Sequence, residues 1–254
     1  MVDPYAIDAE FYDLLHPDNG DDADFWLSLA GAAEGPIVEA GTGTGRIALR
    51  LAGAGHRVVG IDPSDAMLAK ARAKADEAGL DVQFAFGSLT TLGTLPRDEF
   101  GLVIVPANVF LHCEHGEDQM EALRAIAGAL VAGGRVAIDL PGPARFVDGM
   151  HNGEPVLVYS APEEGGRLEV WQVHEDDLAT QTRVLSMRYE RTRPDGTTWR
   201  AVSEQVLRYV YRFEMEYLLH LAGLRLLDVF GDYELGELTH ESERMIFVAV
   251  RAER

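Results

Sequence analysis

The sequence has 254 residues, 47% of them hydrophobic and 25% charged, which is the composition of an ordinary globular protein with room for one large α/β domain. Its 22 Lys and Arg residues stand against 42 Asp and Glu residues, a formal net charge of −20. Because this excess of negative charge repels phosphate polymers, we expect no nucleic acid among the substrates.

The sequence also limits the expected compartment. Its single cysteine, Cys113, cannot form an intramolecular disulfide. The longest apolar stretch, at 102–111, is broken by Pro106 and Asn108 and is shorter than the roughly 20 residues that span a bilayer. The N-terminus lacks the basic and apolar segments of a signal peptide. We therefore expect a cytoplasmic protein with no membrane contact.

Strand and helix patterns alternate over the first 140 residues. A helix is predicted at 22–33, and five strands follow at 36–40, 57–61, 82–86, 102–105 and 135–140. Helices are predicted between them at 46–54, 65–78 and 117–130. Such alternation is typical of right-handed βαβ units, which form a mostly parallel sheet with helices on both faces. A Rossmann-like, doubly wound α/β fold is therefore predicted.

The pattern changes after Pro141. Strands are predicted at 157–159, 167–174, 184–192 and 198–211, and Arg193-Pro194-Asp195-Gly196 is a strong hairpin-turn signal. A helix at 214–222 and strands at 226–230 and 245–250 follow. We predict a seven-stranded, mostly parallel sheet formed by residues 1–140 and 213–254. Residues 141–212 would form an antiparallel lid, or substrate subdomain, inserted before the last helix and strand pair.

A glycine-rich turn, Glu39-Ala40-Gly41-Thr42-Gly43-Thr44-Gly45, follows the first predicted strand. Its glycines let a ligand approach the backbone N–H groups at the start of the next helix. Dinucleotides and S-adenosylmethionine both bind to such turns. The dinucleotide pattern needs a third glycine where Arg46 stands, and the Glu39 carboxylate suits a positively charged ligand. The turn therefore favours S-adenosylmethionine, and an NAD-dependent oxidoreductase is the less favoured alternative.

Asp62 ends the second predicted strand, 62 − 41 = 21 residues after the first glycine. An acid at this distance can accept hydrogen bonds from both ribose hydroxyls of either cofactor. The alternative is a turn residue before Pro63. Because Asp62 follows the glycine turn at this spacing, we prefer the interpretation that it binds the ribose.

Three segments together resemble class I S-adenosylmethionine-dependent methyltransferases: the glycine-rich turn, residues 60–68 and residues 130–135. The resemblance covers about residues 10–140. Phe11-Tyr12-Asp13-Leu14-Leu15 and the inserted lid resemble a small-molecule subgroup that includes amino-sugar N,N-dimethyltransferases; over the lid the likeness is only architectural. It implies transfer of a methyl group to nitrogen or oxygen of a small molecule. Because fold does not guarantee chemistry, a non-catalytic cofactor-binding protein is a further alternative.

The resemblance also implies roles for single residues. Glu39 and the turn would hold the methionine end of the cofactor, and Met67 would lie near the adenine. Tyr12 would close over the cofactor, and Ala107-Asn108 would border the methyl group. Many relatives have Gly-Asp where this chain has Gly87-Ser88, so the Ser88 hydroxyl or the Leu89 N–H would contact the adenine. The predicted cofactor residues are Tyr12, Glu39, Ala40, Gly41, Thr42, Gly43, Gly45, Asp62, Pro63, Met67, Ser88, Leu89, Ala107 and Asn108.

The catalytic candidates are fewer. His112, after the fourth predicted strand, is a candidate base or substrate ligand, and Tyr12 is a second candidate catalytic residue. A histidine that caps the following helix is an equally good interpretation of His112. The run His112-Cys113-Glu114-His115 lacks the ligand spacing of a closed zinc site, and no metal is expected.

Lid residues are candidates for the substrate pocket. Aromatic residues alternating along a strand more often form one packed face of a sheet. The lid candidates are Trp171, His174, Tyr209, Tyr211 and Arg212, and Asp232 and Tyr233 join them from outside the lid. The acceptor atom stays open between nitrogen, oxygen and carbon, and the oligomeric state stays open, a dimer included.

Overall fold

The computed structural model describes residues 3–18, 20, 22–146, 152–163 and 166–252. It contains two β-sheets. The larger has seven strands, β1 (Ile37–Ala40), β2 (Val58–Asp62), β3 (Gln83–Phe86), β4 (Phe100–Val105), β5 (Leu130–Pro141), β10 (Leu224–Phe230) and β11 (Arg244–Arg251). The smaller has four, β6 (Val156–Glu163), β7 (Gly166–Asp177), β8 (Thr182–Thr192) and β9 (Thr198–Arg208).

Seven helices accompany the sheets in the described part of the chain. They are α1 (Ala6–Leu15), α2 (Ala23–Gly31), α3 (Arg46–Gly53), α4 (Asp65–Ala78), α5 (Gly116–Ala129), the short α6 (Pro143–Phe146) and α7 (Arg212–Leu221). Two 3-10 helices, Leu89–Thr94 and Val109–His112, follow β3 and β4. Within the described ranges, none of the helices has both the length and the apolar character needed to cross a membrane.

The seven-stranded sheet has the order β10-β11-β5-β4-β1-β2-β3. The first five strands are parallel, and β11 pairs antiparallel with both β5 and β10. The chain runs from β1 to β3 in one direction and then returns to β4 on the other side of β1. In open α/β sheets this reversal creates a crevice at the carboxyl ends of the strands, where ligands bind. The predicted mostly parallel sheet with an antiparallel insertion is confirmed.

Both faces of the large sheet are covered by helices because its central strands β1 and β4 are buried along their whole length and mostly apolar. Ile37 packs with α2 and α3, including Trp26 and Leu51. Its neighbour Val38 points the opposite way and shares a cluster with Ile126 of α5. Successive side chains of a strand face opposite sides, so the run of buried residues in β1 supplies one core on each side of the sheet.

The four-stranded sheet is an antiparallel meander in the order β6-β7-β8-β9, and we call it the lid. Its strands lie within residues 156–208. Phe11 of α1 packs against Leu168, Val170 and Tyr189 of the lid, and the rings of Phe11 and Tyr189 stack with centroids 4.9 Å apart. The N-terminal helix therefore attaches the lid to the rest of the molecule.

Several element boundaries differ from the sequence prediction. Strand β5 begins at Leu130 rather than 135, because it runs through Gly133 and Gly134. The predicted strand at 198–211 ends at Arg208, and α7 begins at Arg212. No helix was predicted at the position of α1. The sequence analysis named residues 11–15 only for their resemblance to the small-molecule subgroup.

Candidate active site

A cavity of about 650 Å³ lies at the carboxyl ends of the parallel strands. Residues that follow β1, β2, β3 and β4 form one side, which we call the strand-end half. Side chains from the N-terminal segment and the lid form the lid half. Eleven residues predicted from the sequence line this cavity: Tyr12, Gly41, Gly43, Asp62, Pro63, Met67, Ser88, Leu89, Ala107, Asn108 and His112.

The glycine turn needs glycine for steric reasons. Gly41 has φ +71°, and a Cβ added there would lie 2.3 Å from Cγ2 of Val109. Gly43 and Gly45 also have positive φ. The N–H groups of Gly41 and Thr42 donate to the carbonyl of Ile61, which fixes the turn against β2. The backbone of Gly41 and Gly43 therefore lies at the cavity surface without side chains of its own, beside Val109 and Tyr12.

Glu39 lies behind this turn. Its carboxylate accepts hydrogen bonds from the Thr42 hydroxyl at 2.7 Å and from the Ala48 N–H at 2.8 Å. Burial raises the pKa of Glu39 to about 8 because desolvation disfavours the charged form. Glu39 and the buried Ala40, Thr42 and Gly45 are absent from the residues that line the cavity. The direct contribution of Glu39 in the structure is to hold the turn to α3.

Asp62 lies at the cavity surface. Its oxygens accept hydrogen bonds from the N–H groups of Gly43 at 2.8 Å and Ser64 at 2.9 Å. Burial raises the pKa of Asp62, and the two N–H donors oppose this effect. The carboxylate thus joins the glycine turn to the start of α4. That helix is capped by Ser64, whose hydroxyl accepts from the Met67 N–H at 3.1 Å.

Ser88 and Leu89 begin the 3-10 helix after β3. The Ser88 hydroxyl is 3.0 Å from the Thr90 hydroxyl, and the Ser88 N–H donates to the Thr91 hydroxyl at 2.7 Å. Thr90 also lines the cavity, although it was not predicted. A hydroxyl-rich edge therefore borders the cavity after β3.

Ala107 and Asn108 form a strained turn after β4. Their φ angles are +51° and +64°, a left-handed conformation that non-glycine residues rarely adopt. The Ala107 N–H donates to Oδ2 of Asp139 at 3.0 Å, and the Asn108 N–H donates to the Asp139 carbonyl at 3.1 Å. Asp139 therefore holds the turn in place.

Asp139 is fully buried and has two further donors. The Tyr233 hydroxyl donates to it at 2.7 Å and Nη1 of Arg244 at 2.9 Å. Burial raises the pKa of Asp139 and Arg244 lowers it. Sequence reasoning missed Asp139 and Arg244, and it named Tyr233 as one candidate for the substrate pocket. Tyr233 is not among the lining residues, because its hydroxyl reaches Asp139 instead.

The N-terminal segment supplies one wall of the lid half. Tyr5, Asp8 and Tyr12 all line the cavity, as expected for residues three and four positions apart on one helix face. The Tyr5 hydroxyl lies 3.1 Å from Nδ1 of His112. Burial raises the pKa of Tyr5 to about 12 and lowers that of His112 to about 4. Both groups are therefore neutral near pH 7.

His112 does not cap the next helix. Helix α5 begins at Gly116, and its N-cap position is His115. His112 ends the preceding 3-10 helix and lines the cavity. Cys113 is buried, and desolvation raises the pKa of its thiol to about 12. In the described ranges no three His, Cys, Asp or Glu side chains are grouped as metal ligands.

The lid candidates from the sequence are absent from the cavity lining. Trp171 lies on the opposite side of β7 from the cavity, with Arg188 5.8 Å from its ring centroid. Its neighbour Gln172 points to the cavity. His174, Tyr209, Tyr211 and Arg212 are also absent from the lining. The lid residues that line the cavity are Gln172, Leu185, Met187, Tyr189, Gln205 and Leu207.

Comparison with known proteins agrees with this architecture. Residues 37–134 match the family model described as a methyltransferase domain. A cypemycin N-terminal methyltransferase from Streptomyces sp. is 30% identical over 262 aligned residues, which cover 99% of this chain and 100% of the relative.

Two solved structures are similar over almost their whole length. The CcbJ methyltransferase from Streptomyces caelestis is 26% identical, covers 91% of this chain and 95% of its own, and has a TM-score of 0.73. S-adenosylmethionine-bound CalS10, an amino pentose methyltransferase from Micromonospora echinaspora, is 20% identical with a TM-score of 0.72 and covers 96% of each chain. These likenesses include the lid as well as the large sheet.

Proposed function

The chain belongs to the class I S-adenosylmethionine-dependent methyltransferases, and on that premise we propose that it methylates an amine nitrogen of a small molecule. The cavity volume of about 650 Å³ lies within the range of roughly 300–1,000 Å³ that is usual for ligand pockets. Its strand-end half suits the methyl donor, and its lid half suits the acceptor.

The charge of the cavity lining is the observation that carries this proposal. Four carboxylates line it, those of Asp8, Asp62, Glu114 and Asp118. Arg244 is the one Lys or Arg side chain among the described lining residues, and its Nη1 is bonded to buried Asp139. Such a lining attracts cations and disfavours anions. Amines are cationic before and after methylation, whereas acids and phenolates are anionic nucleophiles.

The residues fit the methyl donor in specific ways. The backbone of Gly41 and Gly43, which lines the cavity, can receive its amino-acid end, since neither glycine adds a side chain of its own. Asp62 can accept hydrogen bonds from the ribose hydroxyls with the lone pairs that its two N–H donors leave unused. Met67 and Leu89 supply apolar surface for the adenine. Glu39 supports the amino-acid end from behind the turn, through its hydrogen bonds with Thr42 and the Ala48 N–H.

Positioning is the main task of the protein in this reaction. When bound, S-adenosylmethionine supplies a methyl group on a positively charged sulfur; as the amine lone pair forms the new N–C bond, the S–C bond breaks and its electrons stay on sulfur. The acceptor must lose one proton to water first, because an ammonium nitrogen has no free lone pair. The neutral His112–Tyr5 pair can hold an N–H of the acceptor through hydrogen bonds. Tyr12 closes the cavity near Gly43.

The names of similar proteins support nitrogen as the acceptor atom. The full-length relative is named an N-terminal methyltransferase, and one solved structure is described as an amino pentose methyltransferase. We also propose that the acceptor is not a nucleic acid, because the chain carries a net charge of −20.

A direct assay tests the proposed function. The purified protein would be incubated with S-adenosylmethionine and a panel of amines, phenols and carboxylic acids, and methylated products identified by mass spectrometry. We expect methylated amines together with S-adenosylhomocysteine. Methylation confined to phenols or acids would contradict the nitrogen assignment. Calorimetric titration with NAD as the control ligand should show no binding.

A further inference from the structure

Asp8 differs from the other carboxylates of helix α1. It is 7% exposed and lines the cavity. Three neutral lid groups donate hydrogen bonds to it: the Tyr189 hydroxyl at 2.6 Å, the Ser203 hydroxyl at 2.6 Å and Nε2 of Gln205 at 3.2 Å. On the same helix, Asp13 pairs with Lys74 at 2.7 Å and Glu10 with Arg191 at 3.3 Å. Within the described ranges, no cation pairs with Asp8.

A buried carboxylate without a cation is unusual. Asp is almost never buried unless it is paired, and desolvating an uncompensated charge is costly. The three neutral donors fill three of the roughly four acceptor positions of a carboxylate and supply no opposite charge. Because the carboxylate borders the cavity, a cation bound there would supply the missing compensation.

The position of Asp8 on α1 relates it to the strand-end half. Asp8 lies one helical turn before Tyr12, whose ring is within 3.9 Å of the point where a Cβ on Gly43 would lie. A turn of helix rises about 5.4 Å. A ligand group held by Asp8 is therefore about one turn of helix away from the tyrosine that covers the glycine turn.

We propose that Asp8, with Tyr189 and Gln205 of the lid, forms the subsite for the acceptor nitrogen. This inference rests on the proposed function and adds the residues that select the substrate. The subsite takes a primary, secondary or tertiary amine that binds as the ammonium ion. The bound ion gives up one proton to water before its lone pair takes the methyl group, and the product leaves as a methylated ammonium ion.

The chemistry of the transfer explains why a carboxylate belongs at this place. Methyl transfer to a neutral amine moves one positive charge from sulfur to nitrogen. A fixed negative charge beside the nitrogen stabilises that developing charge, as oriented charges do in other active sites. The same carboxylate would repel a phenolate or a carboxylate nucleophile. Asp8 therefore selects nitrogen over oxygen, the choice that the sequence leaves open.

The groups facing Asp8 keep their charge state over the useful pH range. Burial lowers the pKa of His16 below its usual value of 6.5 and that of His112 to about 4. Burial raises the pKa of Tyr5 to about 12 and also raises that of Tyr189. Between pH 7 and pH 9.5 all four side chains are predominantly neutral. A change in amine binding over that range then reports the protonation of the amine.

The test uses Asp8→Asn, which removes the charge and keeps the shape. Because removing one partner of a buried charge pair leaves the other charge unpaired, we expect kcat/KM for an accepted amine to fall roughly 30-fold or more at pH 7. The affinity for S-adenosylhomocysteine, measured by calorimetry, should stay within about 3-fold of wild type. Glu10→Gln is the matched control, since it removes an exposed charge from the same helix and should leave both quantities unchanged.

A pH series separates a substrate-binding role from a structural one. With an amine of pKa near 8, the KM ratio of Asp8→Asn to wild type should shrink between pH 7 and pH 9.5, because a neutral amine offers Asp8 no charge to pair. A ratio that is constant with pH, or a loss of S-adenosylhomocysteine affinity equal to the loss of kcat/KM, would overturn the proposal.

A second measurement needs only the wild-type protein and therefore does not depend on whether Asp8→Asn folds. A quaternary ammonium analogue of an accepted amine and its neutral carbon isostere would be compared as competitive inhibitors. We expect the cation to bind at least about 10-fold more tightly. Equal inhibition constants would refute the subsite while leaving amine methylation intact. If the wild-type protein methylates no amine at all, the proposed function itself fails, and this inference fails with it.

Discussion

The strand-end half and the lid half of the cavity are built from different materials. The strand-end half is made of backbone held in unusual conformations, as at Gly41, Gly43, Ala107 and Asn108. The lid half is made of side chains such as Asp8, Gln172 and Gln205. These side chains project from regular helices and strands. A backbone site depends on local conformation, whereas a side-chain site can change its specificity by substitution without changing the fold. This difference agrees with one methyl donor and many acceptors across a family.

The largest effect is expected from a substitution that disrupts the backbone of the strand-end half of the cavity. In Gly41→Ala, the new Cβ would lie 2.3 Å from Cγ2 of Val109, at φ +71°. Left-handed strain costs about 1–2 kcal/mol and overpacking about 1–3 kcal/mol, so we expect a loss of about 2–5 kcal/mol of stability and no detectable cofactor binding. Chemical unfolding and calorimetry with S-adenosylhomocysteine would measure both.

Gly55→Ala is the control for this substitution. Gly55 also has positive φ, at +92°, but no atom lies within 4 Å of an added Cβ. Only the strain of about 1–2 kcal/mol should appear, with cofactor binding retained. Equal losses in the two variants would show that close packing at Gly41 does not matter.

Asp62→Ala should have the next largest effect, again confined to the strand-end half. It removes the proposed acceptor for the ribose hydroxyls, and hydrogen bonds to charged groups contribute about 1.5–3 kcal/mol. We expect the Kd for S-adenosylhomocysteine to rise roughly 10- to 150-fold, while the KM for an amine acceptor changes little. Wild-type affinity in this variant would mean that the ribose binds elsewhere.

Tyr233→Phe tests the support of the turn at Ala107 in the strand-end half of the cavity. It removes one hydrogen bond to buried Asp139, which holds the left-handed turn at Ala107. We expect a loss of about 1–2 kcal/mol of stability and a fall in kcat that exceeds any change in KM, because the turn shifts rather than a ligand contact disappearing. Exposed Tyr217 offers a matched Tyr→Phe control. A rise in KM with kcat unchanged would contradict the positioning role.

The two halves also differ in how far the sequence predicts them. The glycine turn and Asp62 belong to contiguous segments whose backbone demands are visible in residue types, so the sequence predicted their place at the cavity. Asp8 and Ser203 are separated by 195 positions, and Asp139 and Arg244 by 105. No local pattern encodes such pairs.

Strand register explains the outcome for Trp171. Alternation along β7 distinguishes two sets of residues but does not say which set faces the cavity. Trp171 was one of two β7 candidates for the substrate pocket, yet the set that contains Gln172 and Val170 faces α1 and the cavity. Helix α1 decides this, since it buries Phe11 against Val170 and Tyr189. The packing of the lid on α1 is a tertiary contact, and the alternation of residues along one strand does not predict it.

The smallest effect is expected from Glu10→Gln, at the exposed edge of the contact between α1 and the lid. Glu10 lies 3.3 Å from Arg191, but the side chains are 50% and 37% exposed, and such pairs typically contribute about 0.2–1 kcal/mol. We expect a change in unfolding free energy below about 0.5 kcal/mol, unaltered by added salt. A larger, salt-dependent loss would show that surface charge holds the lid in place. The small value would instead assign that task to the buried contacts of Phe11 and Asp8, which connect the same helix to both halves of the cavity.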